Sequence, residues 1–227
     1  NAAPPWLKQT SALQFAAYPS PAGLAGGLTL NQHQVDALAF VAPAANIKSD
    51  RPSSWQKSYS GGPVRVEPLA PGLAGKDYVP VVIPNGAALP FKIVGGVKVF
   101  RIVAEEIDHA FDAGLRARCW GFNRRVNGTL IEAVEGERVR IYVTNRLPVA
   151  TSIHWHGIFL PNGMDGVGGV TQPYIKPGET VKYEWTLRQH GTQMFHSHHD
   201  EMTQMGMGMI GLFVVHPRNP SPEYRVD

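Results

Sequence analysis

Cysteine is nearly absent from this sequence, since Cys119 is the only one among 227 residues. No disulfide can therefore form within the chain, and a single cysteine leaves the redox compartment undetermined. No apolar run approaches the roughly 20 residues of a membrane-spanning helix, and residues 1–6 lack the basic and apolar regions of a signal peptide. Charged residues make up only 17% of the chain, and the net charge is +3. Because the basic residues are scattered, the sequence predicts no nucleic-acid surface.

Apolar residues, glycine and proline are abundant by contrast. Apolar residues make up 43% of the chain, which is typical of a globular core, and the 24 glycines and 19 prolines indicate many turns. Residues 1–90 are rich in Pro, Gly, Ala and Ser and predict an extended, mostly irregular N-terminal arm. The helical spacing of Val35, Leu38 and Ala39 would allow one short helix at residues 28–41.

From about Lys92 onward the pattern becomes that of β-strands. Residues 97–104 are β-branched and apolar, as in a largely buried strand. Residues 138–143 and 181–187 alternate between apolar and polar side chains, and residues 211–216 are typical of a buried closing strand. The charged stretch around His109 is predicted to be a loop. Short strands separated by turns, with no helical repeat between them, predict an all-β, antiparallel sandwich.

Two short histidine segments stand out, at residues 152–157 and 194–200. In an extended strand, side chains two residues apart share a face, so His154 and His156 would point together. His196 and His198 would do the same, while Trp155 would face the core. Imidazole is the commonest metal ligand in proteins and suits zinc, copper, iron and nickel. The two pairs together predict a metal centre with four nitrogen ligands.

Several nearby residues have two interpretations. On a strand, His199 points away from His198, so a supporting role beside the site and direct ligation both stay open. Asp165 lies between glycines, where it could be an ordinary turn residue. The methionine run at residues 202–209 could hold Cu(I) or fill gaps in the core, and we favour the core. Cys119 has no flanking histidine and is interpreted as a small buried apolar residue.

Five motifs follow one another between about Val97 and Pro217. They are Gly136-Glu137-Arg138-Val139-Arg140 with Asn145, His154-Trp155-His156-Gly157, Asp165-Gly166, Pro177-Gly178 and His196-Ser197-His198. In this order they resemble the first cupredoxin domain of the multicopper oxidases, close to the bacterial copper-tolerance and laccase-like members. The resemblance implies a Greek-key, cupredoxin-like β-sandwich at residues 91–227, preceded by the arm at residues 1–90.

The resemblance also implies a role for each histidine in a three-copper cluster. His154 would bind the type 2 copper, His156 and His196 would bind one type 3 copper, and His198 would bind the other. Asp165 stands at the family's acidic position near the type 2 copper, where a carboxylate assists proton delivery to reduced oxygen. The implied activity couples one-electron oxidation of a phenol or metal ion to four-electron reduction of O2 to water.

Two parts of the family pattern are missing from this chain. It has no His-Cys-His motif for a type 1 copper, and Ser197 cannot serve as a thiolate. It also lacks the histidine motifs of the family's last domain, so it would supply half of a trinuclear site. We therefore expect the N-terminal portion of a longer oxidase, inactive alone, whose partners are C-terminal cupredoxin domains of the same protein or of another chain. The bacterial relatives imply a periplasmic or secreted location, and homo-oligomer formation stays open.

Two other functions compete with this interpretation. A copper-binding or sequestering module without turnover would need only the four histidines and the methionines. A zinc hydrolase is suggested by residues 196–200, which resemble the HxHxDH motif of metallo-β-lactamases. However, Glu201 stands where that motif needs its last histidine, and the sequence offers no helices between its strands.

Overall fold

Eleven β-strands form two sheets in the part of the chain that the computed structural model describes, residues 29–30 (backbone only) and 67–221. The first sheet holds six strands: β1 (Thr29–Leu30), β3 (Phe91–Val94), β4 (Val97–Asp112), β5 (Leu115–Phe122), β7 (Arg138–Asn145) and β9 (Thr180–Thr186). The second holds five: β2 (Ala87–Ala88), β6 (Thr129–Val134), β8 (Ile153–His154), β10 (Gly191–Ser197) and β11 (Ile210–His216). The strand orders are β1-β9-β7-β4-β3, with β5 paired to β4, and β2-β6-β11-β10-β8.

The core lies between the facing surfaces of these sheets. Val139, Ile141 and Val143 of β7 are fully buried, as their alternation predicted, and Tyr183 and Trp185 of β9 are buried as well. Each large apolar side chain removed from water contributes roughly 1.5–3 kcal/mol to folding. The predicted all-β sandwich is therefore confirmed, and its apolar interior holds the two layers together.

Trp155 lies at the centre of an aromatic group inside the sandwich. Its side chain is fully buried, and its ring centroid lies 5.3 Å from that of Tyr183, 5.2 Å from Trp185, 5.7 Å from Phe195 and 6.4 Å from Phe213. Aromatic pairs at these separations stabilise beyond the area they bury. The predicted inward orientation of Trp155 is confirmed, and its packing fixes the position of the histidines on either side.

The expectation of purely antiparallel pairing is wrong. β4 pairs with β7 in parallel, and β6 pairs in parallel with both β11 and β2. The reason is the path of the chain, since β6 of the second sheet separates β5 from β7. When the chain returns to the first sheet it lies beside β4 and runs in the same direction. The sheets are mixed, which sequence alternation alone does not distinguish from antiparallel ones.

Three other predictions concern the first half of the chain. The possible helix at residues 28–41 lies outside the described residues, except that Thr29 and Leu30 form β1 and pair with β9. The arm at residues 1–90 is described only at residues 29–30 and 67–90, so its boundary stays a prediction. The loop predicted around His109 is wrong, because β4 continues to Asp112 as a hairpin with β5. This part of the hairpin is largely exposed and has no apolar periodicity to reveal it.

A buried ion pair joins β4 to the turn before β7. Lys98 and Glu137 are both fully buried, and Lys98 Nζ lies 2.9 Å from Glu137 Oε2 and 3.1 Å from Oε1. Burial lowers the pKa of Lys98, while the Glu137 charge opposes that change. Glu137 belongs to the first family-like motif, so the structure gives that motif a packing role. Among the described residues, no helix is long and apolar enough to cross a membrane.

Candidate metal centre

His154 and His196 lie directly opposite each other on two antiparallel strands. His154 ends β8, His196 is the penultimate residue of β10, and the two are register partners. Their ring centroids are 5.4 Å apart and nearly perpendicular, at 78°. Side chains at directly opposite positions of an antiparallel pair project from the same face. The pairing of β8 with β10 therefore brings the two histidine segments together, as the sequence predicted.

His156 reaches the same place from a turn, although a continuous strand was expected through this position. Strand β8 stops at His154, and Ile158 N donates to Trp155 O at 3.2 Å. Gly157, with φ +81°, occupies the third position of this turn, where a left-handed conformation favours glycine. The His154 and His156 ring centroids are nevertheless 5.5 Å apart. The turn thus keeps both imidazoles on one side of the segment.

Three histidines offer nitrogens that converge on one region. In His154, His156 and His196, one ring nitrogen of each lies within 4.8 Å of the other two. The closest contact joins His156 Nδ1 and His196 Nε2 at 3.2 Å. Two nitrogens that each lie about 2.0–2.1 Å from one ion at a tetrahedral angle are separated by about 3.3 Å. The imidazole pair therefore fits a shared metal ion that prefers nitrogen ligands.

Backbone carbonyls orient two of these rings. His154 Nδ1 lies 2.9 Å from Asp165 O, and His196 Nδ1 lies 2.8 Å from Ser197 O. A carbonyl oxygen can only accept, so each Nδ1 carries the hydrogen and each Nε2 keeps its lone pair. This arrangement is the usual one for a metal-binding histidine, whose other nitrogen donates to a carbonyl or carboxylate. The residues present thus satisfy the donor chemistry that a metal ion requires.

The protein alters the pKa of two of the histidines in opposite directions. The Asp165 carboxylate, whose Oδ1 lies 3.3 Å from His154 Nδ1, raises the pKa of His154 despite partial burial. Burial lowers the pKa of His196, which favours its neutral form. Neutral imidazole is the form that binds a metal ion. The buried ring is therefore ready for a metal at lower pH than an exposed histidine would be.

Asp165 lies beside His154 because its loop packs on β8. It follows a short 3-10 helix, Asn162–Met164, and its backbone oxygen also accepts from Trp155 N at 3.4 Å. The next residue, Gly166, has φ +83°, and a Cβ there would collide with the carbonyl of Ile153. Only glycine permits this close approach of loop and strand. The loop thereby places the Asp165 carboxylate and carbonyl within reach of His154.

His198 lies at the edge of the cluster. Its ring centroid is 5.5 Å from His154 and 6.1 Å from His196, so the four predicted histidines are neighbours. Its Nε2 lies 3.2 Å from Glu201 Oε1, however, and it does not belong to the three-histidine group. Glu201 begins a one-turn helix, α1 (Glu201–Gln204). The structure thus brings three predicted ligands to one point and places the fourth beside a carboxylate.

The structure shows the surroundings of the residues for which the sequence allowed two interpretations. His199 is buried, its ring lies 4.4 Å from that of Tyr174, and it does not belong to the three-histidine group. Met209 is fully buried in the core, whereas Met202 is 93% exposed. Cys119 is buried, as interpreted, and burial raises the pKa of its thiol. The methionine run therefore divides between core packing and solvent.

The sequence analysis missed two polar residues that connect the histidine segments. Ser152 Oγ donates to His198 O at 2.9 Å, and His198 N donates to Ser152 O at 3.1 Å. Gln204 is completely buried, and its side chain bonds Ala150 and Thr151, just before the first segment, and Ser197 in the second. Serine and glutamine occur commonly on surfaces, so neither residue type signals such a role by itself. Their positions beside the histidine motifs were the available signal.

Comparison with protein families and curated proteins gives consistent matches. A family model described as multicopper oxidase matches residues 103–220, slightly more than half of the chain. Copper resistance protein A of Pseudomonas syringae pv. tomato is 40% identical over 109 residues, which are 48% of this chain and 18% of that protein. Dihydrogeodin oxidase of Aspergillus terreus is 46% identical over 99 residues, 42% of this chain and 16% of that protein. The chain spans less than a fifth of the length of these relatives.

Solved structures give the same result. The multi-copper oxidase from Pseudomonas thermotolerans matches with a TM-score of 0.54 and 32% identity, over 56% of this chain and 31% of that chain. The blue copper oxidase from Nitrosomonas europaea matches with a TM-score of 0.52 and 32% identity, over 55% of this chain and 40% of that chain. These matches confirm the expected cupredoxin-like sandwich.

Proposed function

This chain belongs to the multicopper oxidase family, and we propose that it is the N-terminal part of a copper-dependent oxidase, to which it supplies half of a trinuclear copper site. The observation that carries the proposal is the 3.2 Å approach of His156 Nδ1 to His196 Nε2, from segments 40 residues apart in sequence. Following the family pattern, these two would hold one type 3 copper, His154 the type 2 copper and His198 the other type 3 copper. Copper is the metal that the family implies.

When bound, the copper ions would collect single electrons from a donor and deliver them to O2. The chain's own residues supply the ligands and their orientation. His154 and His196 each give an Nε2 lone pair, because their Nδ1 hydrogens are held by backbone carbonyls. The burial of His196 and the partial burial of His154 limit water near their nitrogens and strengthen the electrostatic interactions there.

Asp165 is proposed to carry protons to the site. Its Oδ1 lies 3.3 Å from His154 Nδ1, and its side chain is 27% exposed. A carboxylate in this position touches the histidine on one side and can exchange a proton with solvent on the other. Reduction of O2 to water consumes protons, so a carboxylate connecting solvent to the cluster suits that demand.

The remainder of the oxidase is proposed to lie outside this chain. A type 1 copper needs a cysteine thiolate with two histidines, but Cys119 is buried at the β4–β5 pair and stands opposite Ile107. The C-terminal cupredoxin domains, in the same protein or in another chain, would supply that copper, the remaining histidines and the pocket for a phenol or metal ion. We propose a periplasmic or secreted location, as in the bacterial relatives.

The proposal is tested by the intact mass and the copper content of the native protein, together with O2 consumption in the presence of a phenol. We expect a protein larger than the 24.8 kDa of this chain, or a stable complex with a second chain, that contains type 1 copper and consumes O2. The isolated chain should bind copper without consuming O2. A native protein of this chain alone that still oxidises the phenol would contradict the division of the site.

A copper-sequestering module is the second candidate. The observation that favours it is the contact of His198 Nε2 with Glu201, which leaves a compact three-histidine group in this chain. Such a group could bind one ion without any partner domain. A native protein that has the mass of this chain, holds a single copper ion and shows no turnover would support this function over the oxidase.

A further inference from the structure

We propose that Gln204 is a positioning residue of the metal centre, whose buried side-chain amide holds the two histidine segments at the spacing that brings their ring nitrogens together. This inference rests on the proposed copper site. Gln204 is the last residue of α1, six residues beyond His198, and its side chain is fully buried. It touches none of the ring nitrogens directly, so its effect passes through the segments that carry them.

The amide bonds two residues just before the first segment and one residue within the second. Its Oε1 accepts from Thr151 Oγ1 at 2.7 Å and also from the hydroxyl of Ser197. Its Nε2 donates to Ala150 O at 2.9 Å. Ala150 and Thr151 precede β8 and the first histidine pair, whereas Ser197 lies between His196 and His198. One side chain therefore links the two residues that lead into the first segment to the middle of the second.

Apart from the two bonds between Ser152 and His198, few hydrogen bonds join the two segments directly. β8 has only two residues, it lies at the edge of its sheet, and it pairs with β10 through two register partners only. A two-residue edge strand fixes position weakly, since few ladder hydrogen bonds hold it. The 3.2 Å contact between His156 and His196 depends on that pairing. The bonds of Gln204 lie directly behind it and limit sliding or separation of the segments.

Glutamine is suited to this position because it donates and accepts at its end. The amide oxygen accepts hydrogen bonds from two hydroxyl groups, and the amide nitrogen donates one to a carbonyl. Both polar atoms of the buried amide therefore have hydrogen-bond partners. Methionine has a similar shape and could occupy the same volume, but it offers no N–H and only a weak acceptor. Gln204→Met therefore removes the hydrogen bonds while it preserves most of the packing.

The test is a Cu(II) titration of the full chain, with the Kd measured by competition with a chelator and the nitrogen ligands counted from hyperfine structure in the EPR spectrum. We expect Gln204→Met to raise the Kd about 10- to 100-fold, the usual effect of losing a residue that supports metal ligands, and to change the nitrogen hyperfine pattern. Ser197→Ala should weaken binding less. The double variant should be no weaker than Gln204→Met, because both changes remove the same link.

A matched control is Thr144→Val. Thr144 is also a fully buried polar residue, but its hydroxyl bonds that of Thr180 between β7 and β9 and neither histidine segment. This variant should keep the copper Kd and the spectrum of the unsubstituted chain.

The outcomes separate this inference from the proposed function. If the unsubstituted chain binds no copper through imidazole nitrogens, the copper site itself is wrong. If it binds copper and Gln204→Met gives the same Kd and spectrum, the positioning role of Gln204 is overturned. If Gln204→Met does not fold, Ser197→Ala and Thr151→Val decide, and an unchanged Kd in both overturns the inference.

Discussion

At the scale of single residues, two histidines are prepared for metal binding by a hydrogen bond on one ring nitrogen, which leaves the other nitrogen free to bind the metal. His154 and His196 each donate from Nδ1 to a backbone carbonyl, so their Nε2 lone pairs are available. His156 differs, since its Nδ1 faces His196 Nε2. The sequence predicted that four histidines meet, of which three converge in the structure, but it did not predict which nitrogen each one offers. That choice depends on the local backbone path, which no residue pattern specifies.

Asp165 should control the pKa of His154. Its carboxylate stabilises the imidazolium form and raises that pKa above the ordinary value of 6.5. Asp165→Asn removes the charge, so the pKa of His154 should fall. An NMR pH titration of the metal-free chain measures it. The exposed pair Asp108–Arg116 offers a control, since Asp108→Asn should leave the pKa of His154 unchanged. A His154 pKa that stays raised in Asp165→Asn would refute the role of Asp165.

The same shift sets a pH dependence of folding stability. The pKa of His154 is higher in the folded state than in the unfolded state, where it is about 6.5. The interaction of His154 with Asp165 therefore adds its full contribution to the free energy of unfolding below about pH 6.5. That contribution is lost as the pH rises through the folded-state pKa. The difference in free energy of unfolding between the unsubstituted chain and Asp165→Asn should therefore shrink from pH 5 to pH 8. Urea unfolding at several pH values measures this difference. If this difference in free energy of unfolding grew with pH, the proposed stabilisation of the His154 imidazolium by Asp165 would be contradicted.

At the scale of elements, the site depends on two close approaches to β8: the pairing with β10 and the packing of the Asp165 loop. Gly166 permits the second, because a Cβ there would collide with the Ile153 carbonyl. Gly166→Ala should push the loop outward, lengthen the contact of His154 Nδ1 with Asp165 and weaken copper binding about tenfold or more. Isothermal titration with Cu(II) tests it. Gly178→Ala is the control, since Gly178 has the same positive φ but an unobstructed Cβ position.

The buried Lys98–Glu137 pair gives a stability prediction for β4 and β7. Glu137→Gln leaves the Lys98 ammonium buried without its counter-charge, which should lower the free energy of unfolding by about 3–5 kcal/mol. The double variant Lys98→Met with Glu137→Leu should recover most of that loss, because it removes both members of the pair and so leaves neither as an uncompensated charge. Urea unfolding measures both. A double variant less stable than Glu137→Gln would mean that the pair itself stabilises the sandwich.

The elements also show where sequence reasoning succeeded and failed. Alternation revealed β7 and β9 because each buries one face, and the order of the motifs revealed the cupredoxin-like sandwich. The β4–β5 extension went unrecognised, since its exposed faces leave no apolar period. The end of β8 at His154 was missed for another reason: Gly157 permits a turn, but an HxHG segment is equally compatible with a strand. Gln204 was missed because burial of one amide depends on tertiary packing.

For the whole molecule, the described sandwich positions the three-histidine group at one end of β8 and β10. The two curated relatives described above are about six times as long as the segments that match them, as expected if further domains complete the proposed oxidase. The histidines are preformed in this chain by its own strands, turn and loop. We therefore expect this chain to bind copper without first assembling with the other proposed domains.

The most direct test of the central claim is an EPR-monitored Cu(II) titration of the chain and of a variant in which the four site histidines are replaced by alanine: His154, His156, His196 and His198. The chain should bind copper with hyperfine structure from several imidazole nitrogens, and the variant should lose that signal. A control with His109→Ala and His190→Ala should retain it, since these histidines lie elsewhere. If the four-alanine variant bound copper with the same nitrogen hyperfine pattern, the proposed half-site would be contradicted.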